Sequence, residues 1–420
     1  MSAFERGSGD RPALSRCVGQ NAALDFGERY WATTPVLTRA ADLPAPFDDL
    51  FGADAADDLI SQRALRTPFF RMALEGAVLS PSKYTAPGGF GAEIADQVSS
   101  EKVLAEFAAG ATIVLQGLHR TWPPLIDFTR ALVDEIGHPV QVNAYITPAS
   151  SRGFDPHYDV HDVFVLQIAG EKHWTIHEPV HPAPLRDQPW SDHREAVARR
   201  AEGEPFIDAV FRPGDALYLP RGWIHSAEAL GGTSIHLTIG VAAYTRADVA
   251  QALLARLGDT EALRTALPFG VDFTDQAQVE PIVHEVLREL QSMLAAGADD
   301  RAVAERQTSD VSAALTRRIT AATRPEPVSP LATIDAIAAL GGWSVVRWRS
   351  SLRATVSADA DAVRITAGGR TLVLPAEAAQ AVERLAQGDA IAVDELPGLD
   401  TESAIVVVRR LLREAIIVPA

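Results

Sequence analysis

His157 and Asp159 stand two residues apart in Pro156-His157-Tyr158-Asp159, at the head of a stretch patterned for β structure. Side chains alternate across an extended strand, so this histidine and this carboxylate point to the same side. After them Val163 to Ile168 is an apolar, β-branched run, Gly170-Glu171 is a turn signal, and Lys172-His173-Trp174-Thr175-Ile176 resumes the extended pattern. Downstream, Arg212-Pro213-Gly214-Asp215 reads as a turn, Ala216 to Leu219 as a short strand, and Pro220 to Gly222 as a second turn presenting His225. Ser234 to Val241 is a further β-rich run. Strands broken by turns, with polar side chains at the strand ends, predict a small β-barrel with a site in its mouth.

A His-x-Asp pair alone is most often an ordinary surface pair. Here a third donor is at hand, His225 in Pro220-Arg221-Gly222-Trp223-Ile224-His225. Two histidines and one carboxylate, with other positions open, form the facial triad of non-haem Fe(II) oxygenases. A cupin that only binds metal would also suit the Pro-x-Gly-x-x-His segment. It would more often carry a second histidine at 159, and the aspartate there counts against it.

Lysine usage is an independent clue. Of 38 basic residues only Lys83, Lys102 and Lys172 are lysine, so a lysine on the strand after the pair marks a need for a compact point charge. A cation inside a barrel requires an anion, because an isolated buried charge is very costly. Two readings stay open: Lys172 pairs with Glu171 or Glu178 at the surface, or it meets the carboxylate of a ligand.

Five segments in this order resemble the JmjC-type ribosomal oxygenases, Fe(II)- and 2-oxoglutarate-dependent protein hydroxylases of the cupin superfamily. They are Asn143-Ala144-Tyr145-Ile146-Thr147-Pro148, Pro156-His157-Tyr158-Asp159, Val163-Phe164-Val165-Leu166-Gln167, Gly170-Glu171-Lys172-His173-Trp174 and Pro220-Arg221-Gly222-Trp223-Ile224-His225. The resemblance implies a double-stranded β-helix with His157, Asp159 and His225 as the iron ligands. It implies that Lys172 binds the distal carboxylate of 2-oxoglutarate, assisted by Asn143 and Thr238, that O₂ is the oxidant, and that Tyr145 lies near a bound polypeptide. Some members of the family act on histidine of ribosomal proteins and bacterial ones on arginine. The Asn-x-Tyr-x-Thr-Pro and Gly-Glu-Lys-His-Trp segments look closer to the histidine branch. Gly240, however, falls where that branch is expected to place a hydroxyl residue against the substrate. A peptide natural product, a small molecule or an N-methyl group are the alternative targets.

At 420 residues the chain is too long for one typical core. Its composition, 47% hydrophobic residues with no run long enough to span a bilayer, is that of a soluble globular protein. There is no signal-peptide pattern, and the single cysteine, Cys17, fits a reducing compartment, so a cytoplasmic location is expected. A net charge of −17 argues against broad nucleic-acid binding and suits solubility or a basic polypeptide partner. Residues 1–20 are polar and expected to lack fixed structure. Helices are predicted at 22–31, within 47–65, from the Ser99-Ser100 cap to 109, and at 123–136, with strands at 35–37, 67–73, 111–116 and 140–146. His161, His173, His177, His181 and His193 read as loop and surface histidines, since Pro179 and Pro182 forbid a helix that would align them, and Trp174 reads as core packing.

From Thr245 the pattern becomes helical. Val279, Val283, Val286, Leu287, Leu290 and Leu294 form a stripe that must pack on something. The family resemblance implies a homodimer formed through this region. Arg324 to Pro330 is a Pro-rich linker. Strands at 352–356, 362–367 and 370–374, with a Gly368-Gly369 turn, precede helices at 376–386 and 401–413, an order resembling a winged helix. Acidic residues outnumber arginines there and lysine is absent, so a structural or docking module is expected rather than a DNA-binding regulator. The expected fold is therefore α+β: a catalytic barrel with flanking helices over 1–245, a helical dimerisation domain over 246–324, and a winged-helix-like domain over 325–420.

Overall fold

A computed structural model of the chain describes residues 11–91, 93–149, 155–259 and 261–420. They divide into two compact units, one ending at Ala243 and the other running from Tyr244 to Ala420.

Helices of the first unit are α1 (Pro12–Val18), α2 (Gln20–Leu24), α3 (Phe26–Arg29), α4 (Ala53–Gln62), α5 (Ser100–Ala108), α6 (Leu118–Thr121), α7 (Pro123–Ile136) and α8 (Arg194–Ala201). Its strands are β1 (Val36–Thr38), β2 (Phe70–Leu74), β3 (Ala77–Val78), β4 (Thr85–Ala86), β5 (Gln97–Val98), β6 (Thr112–Leu115), β7 (Val140–Thr147), β8 (Asp162–His177), β9 (Ile207–Phe211), β10 (Ala216–Leu219) and β11 (Ile224–Val241). Apart from the β4–β5 ladder they form one antiparallel sheet in the order β1-β10-β8-β11-β7-β6-β2-β3, with β9 also paired to β8.

Two long strands organise this sheet. β8 and β11 pair from Ile224 opposite His177 to Val241 opposite Asp162, with register shifts between Leu230 and His236. Gly170 lies at that irregularity with φ +64°, and a Cβ there would stand 2.2 Å from the Thr233 carbonyl oxygen. Gln167 clamps the bend: its Nε2 donates to the carbonyls of Ala169 and Gly170 and to Ser234 Oγ at 2.9, 3.1 and 2.9 Å. Gly170-Glu171 is thus a bend inside one strand, not the expected turn between two. The bend exchanges odd for even positions, as a bulge does. Val163 and Val165 before it and Lys172 and Trp174 after it all line one cavity. Before the bend β8 pairs with β10, and after it with β9. The ladder ends at β1 and β3, so the sheet curls around its cavity without closing into a hydrogen-bonded ring.

Period-two burial fixes β7. Val140, Val142, Ala144 and Ile146 are buried, and α7 supplies Leu125, Phe128, Leu132 and Val133 to the same core. Gly137 in the left-handed conformation (φ 74°) ends α7 and lets the chain turn into β7. Ser99 caps α5 by accepting the Lys102 N–H. The expectation for residues 1–20 is corrected in part: 1–10 lie outside the described residues, but α1 is packed. It buries Ala13, Leu14, Cys17 and Val18, and its N–H groups of Ala13 and Leu14 donate to Glu135 at 3.0 and 2.7 Å. That spacing puts four apolar residues on one helical face, which the polar surroundings conceal.

The second unit contains α9 (Arg246–Leu254), α10 (Glu261–Arg264), α11 (Gln276–Asp299), α12 (Arg301–Ala322), α13 (Pro330–Ala338), β12 (Val345–Trp348), β13 (Ala354–Ala358), β14 (Ala362–Ala367), β15 (Arg370–Pro375), α14 (Ala379–Ala386), β16 (Ile391–Ala392), α15 (Thr401–Arg413) and β17 (Ile417–Pro419). Two three-stranded sheets form, β16-β12-β17 and β13-β14-β15. Gly368 and Gly369, at φ 56° and 78°, turn the β14–β15 hairpin. On α11, Val283, Val286 and Leu287 are exposed, while the side chain of Leu294 lies outside the described residues. The Pro-rich segment is no free linker, because Arg347 grips Glu326 with two hydrogen bonds of 2.6 and 2.7 Å.

Gly170→Ala should destabilise the first unit by about 3 kcal/mol or more, since it adds both a steric clash and a strained φ. Gly232→Ala, where a Cβ meets open space, serves as the control and should unfold at the wild-type urea midpoint.

Candidate metal centre

His157, Asp159 and His225 each offer a ligand atom, and these atoms all lie within 4.8 Å of one another. The backbone makes them neighbours. His157 N–H donates to the His225 carbonyl at 3.2 Å and His225 N–H returns the bond at 2.8 Å, an isolated antiparallel bridge. Directly opposed residues carry their side chains side by side, and the two imidazole centroids are 4.4 Å apart. Gly222 N–H donates to the Asp159 carbonyl at 3.0 Å, tying the His-x-Asp segment to the loop before His225. Gly222 is required there: its φ is +89°, and a Cβ would lie 2.7 Å from the His181 carbonyl oxygen. Beneath this loop the fully buried Asp162 accepts Arg221 N–H at 2.9 Å and Arg221 Nη1 at 3.3 Å. Burial pushes the Asp162 carboxyl above its ordinary range, with the Arg221 contacts pulling the other way.

Both histidines are turned toward a common centre by their Nδ1 atoms, which meet the carbonyls of Asp155 at 2.7 Å and Trp223 at 3.2 Å. A carbonyl can only accept, so the proton sits on Nδ1 and the Nε2 lone pair is left for a ligand. His225 Nε2 is 3.7 Å from Asp159 Oδ2. Burial works to raise the Asp159 carboxyl, but His161, His225 and His157 outweigh it and hold the group below its usual range. Burial, reinforced by His157, pushes His225 down to about 4. Near neutrality Asp159 is therefore a carboxylate and His225 an unprotonated imidazole, which is what a cation needs of its ligands.

The cluster opens into a cavity of about 590 Å³. On its wall Lys172 is only 4% exposed. Its Nζ donates to Thr147 Oγ1 at 3.3 Å and lies 6.0 Å from the Trp174 ring. Among the described residues it has no ion pair. Glu171 and Glu178 instead hold Arg212 and Arg200, which rules out the surface pairing of Lys172. Burial alone pulls this lysine down to about 7. Tyr145 and Thr238 also line the cavity. Asn143 is on the same face of β7, but its Oδ1 accepts Gly117 N–H at 3.1 Å and it is outside the cavity wall. Gly240 is outside the wall as well, and a Cβ there would meet His161 Cε1 at 3.3 Å.

His236 and Arg71 are among the cavity residues that escaped the sequence reading. His236 is buried directly opposite Tyr145 in the β7–β11 register, stacked on it at 5.1 Å and edge-on to Trp174 at 5.5 Å. Burial, with Lys172 and His225 adding, holds His236 well below its ordinary pKa. Its place was available from β alternation once Thr238 was named. Arg71, from β2, had no comparable signal. Trp174 is core and cavity wall at once. The surface reading is corrected for His177, which is buried at the end of β8, beside Arg200 and the Glu204 backbone, although it falls on the opposite parity from Lys172 and Trp174. His173 pairs with Asp208, and His181 stacks on His193 at 4.6 Å.

Residues 124–249 match the JmjC domain family. These residues carry a JmjC domain. The matched span includes all three clustered donors and Lys172. Ribosomal oxygenase 1 of Rattus norvegicus is 36% identical over 137 residues, covering 32% of this chain and 22% of the relative. Ribosomal oxygenase 2 of Mus musculus is 45% identical over 105 residues, covering 24% and 21%. The bifunctional lysine-specific demethylase and histidyl-hydroxylase NO66 of Aedes aegypti is 42% identical over 100 residues, covering 24% and 15%. The chain thus spans less than a quarter of the length of these curated relatives. Among solved structures, the Escherichia coli ribosomal oxygenase YcfD aligns over 94% of this chain and 97% of its own, with 18% identity and a TM-score of 0.48.

Within the JmjC domain, the Asp162–Arg221 pair is the buried support of the loop that presents His225. Arg221→Ala should cost about 3 kcal/mol, because it strands a buried carboxylate. Adding Asp162→Asn should recover part of that loss in urea denaturation at pH 7.

Proposed function

We propose that this protein is an Fe(II)- and 2-oxoglutarate-dependent dioxygenase that hydroxylates a side chain of a polypeptide. The observation that carries this reading is a three-donor cluster sharing its cavity with a buried lysine that has no carboxylate partner among the described residues. His157, Asp159 and His225 fit a divalent ion by donor type, tautomer and spacing. When bound, Fe(II) with 2-oxoglutarate supplies the activation of O₂ that hydroxylation needs. The chain's own part is binding, orientation and exclusion. Lys172 and Thr238 hold the distal carboxylate of the cosubstrate, while Asn143, fixed by Gly117, keeps β7 in register beside them. Trp174 and His236 form a dry wall, and Tyr145 stands between that wall and the substrate.

The relatives bear the names ribosomal oxygenase and histidyl-hydroxylase, which supports histidine or arginine of a ribosomal protein as the target. Gly240 leaves the position of the expected hydroxyl empty, so the substrate is held from other walls. We read 246–324 as a dimerisation region on the strength of the exposed Val283, Val286 and Leu287, and 325–420 as a winged-helix-like docking module. No helix among the described residues is long and apolar enough to cross a membrane, in keeping with a cytoplasmic site of action.

Asp159→Ala should abolish both hydroxylation and substrate-free 2-oxoglutarate turnover with the fold unchanged by circular dichroism. Retained turnover would remove the triad. A carboxylate beside Lys172 restores its charge, so 2-oxoglutarate binding should take up close to one proton at pH 8. Its affinity should then fall as pH rises from 7, by up to about tenfold per unit. Calorimetry in buffers of different ionisation enthalpy reads this uptake, and Lys172→Met should abolish it.

A further inference from the structure

The second unit holds a cavity that the oxygenase reading leaves unused. It measures about 640 Å³ and lies where the end of α12, the β14–β15 hairpin and the end of α15 meet. Leu352, Ile365, Leu372 and Ile416 give it apolar surface. Around them stand Arg349, Arg353, Arg370 and Arg410, with Glu414 the single acid of the lining. This gathering of cations runs against the composition, since acidic residues outnumber arginines over 325–420 and the whole chain carries −17.

Elsewhere in the region Arg347, Arg364 and Arg384 pair with Glu326, Asp359 and Asp389, while Arg409 and Arg413 on α15 make no ion pair among the described residues. In the cavity only Arg410 has a carboxylate, Glu414, at 3.0 Å. Arg349 is anchored through carbonyls instead, donating to Glu326 O at 2.6 Å and Ala415 O at 3.4 Å. Burial draws this guanidinium below its usual range against the opposing field of Glu326. Arg353 and Arg370 make no ion pair among the described residues. Two non-glycine residues in left-handed backbone, Ser351 (φ 59°) and Ala415 (φ 55°), also line the space. Such conformations persist only where the surroundings impose them.

We propose that this cavity binds a small polyanion with an apolar body, the chemistry of a nucleoside phosphate. Guanidinium forks match phosphate oxygens in pairs, and arginine keeps its charge at any working pH. The enclosed volume is that of small-molecule pockets and the apolar side accepts a base or comparable group. A nucleic-acid strand would need a continued basic track, which the acidic remainder of the region denies it. Because it concerns a site outside the JmjC domain, this inference stands whether or not the oxygenase assignment does.

The test uses the full chain and four probes, ATP, pyrophosphate, adenosine and an RNA oligonucleotide, followed by calorimetry. Saturable ATP binding at one site per chain, with Kd below about 1 mM, is expected, with pyrophosphate weaker and adenosine silent. Arg370 is exposed and Arg353 half-buried, and neither makes an ion pair among the described residues whose loss would unfold the unit. The Arg353→Ala/Arg370→Ala double variant should lose at least about tenfold in ATP affinity while 2-oxoglutarate turnover stays at the wild-type rate. Absence of saturable ATP binding, ATP binding unmoved by the double substitution, or adenosine binding as tightly as ATP would each overturn the proposal. So would an RNA oligonucleotide that binds far more tightly than ATP and is lost in the same variant.

Discussion

The pairing of β8 with β11 is the constraint on which the first unit depends. Both strands run past an irregularity at Gly170 and residues 231–235, and both remain hydrogen-bonded on either side of it. The bend lets two strands serve two parts of the sheet, so that one curved surface surrounds a cavity without a closed barrel. It also decides which residues enter that cavity, since Val165 and Lys172 could not otherwise face the same space. Just beyond the β11 start, the bridge between His157 and His225 extends the same antiparallel logic to a single residue pair. Two imidazoles are thus brought together by main-chain hydrogen bonds, with no need of an ion to gather them.

Charge inside the cavity follows from that placement. Asp159 stays ionised because imidazoles surround it, and His225 and His236 stay neutral because burial and nearby positive groups penalise their protonation. Lys172 is the group left out of balance, half-charged near neutrality and bonded only to a hydroxyl. A buried ammonium without an ion pair among the described residues is unfavourable for the protein alone and favourable for an incoming anion. On the proposed reading the cosubstrate supplies that anion, so the stability forgone by burying Lys172 returns as affinity and selectivity for a dicarboxylate.

Much of this was legible in the sequence because it depends on local pattern. The His-x-Asp pair, the glycine turn before His225, α7 with its Pro123 start, and the Gly368-Gly369 hairpin are all set within a few residues. The scarcity of lysine marked Lys172 before any geometry was known. What stayed hidden depends on contacts distant in the chain. Gly170-Glu171 has the composition of a turn, and only Gln167 reaching Ser234 across 67 positions makes it a bend instead. His177 looked like a surface histidine because what covers it, Arg200 and the Glu204 backbone, comes from a later helix and the loop after it. α1 seemed unstructured until Glu135, 121 positions away, was seen to hold the N–H of Leu14. His236 was within reach, two residues before Thr238 on the same strand face.

The two cavities also show how one acidic chain divides its cations. Lys172 is itself buried, so its charge state responds to what lies beside it, and a compact ammonium on a flexible stem suits that role. The second unit uses only arginine, in a cavity where Arg353 is half-buried and Arg370 faces solvent. A guanidinium there remains charged in water and offers a fixed fork, at the cost of any titration near neutrality. An anion bound by Lys172 should therefore be sensitive to pH, whereas one bound by the arginines should respond to ionic strength instead. One cavity with a buried lysine and one whose lining cations are arginines alone can answer to separate anions without competing, although both lie in a chain whose net charge repels anions at long range.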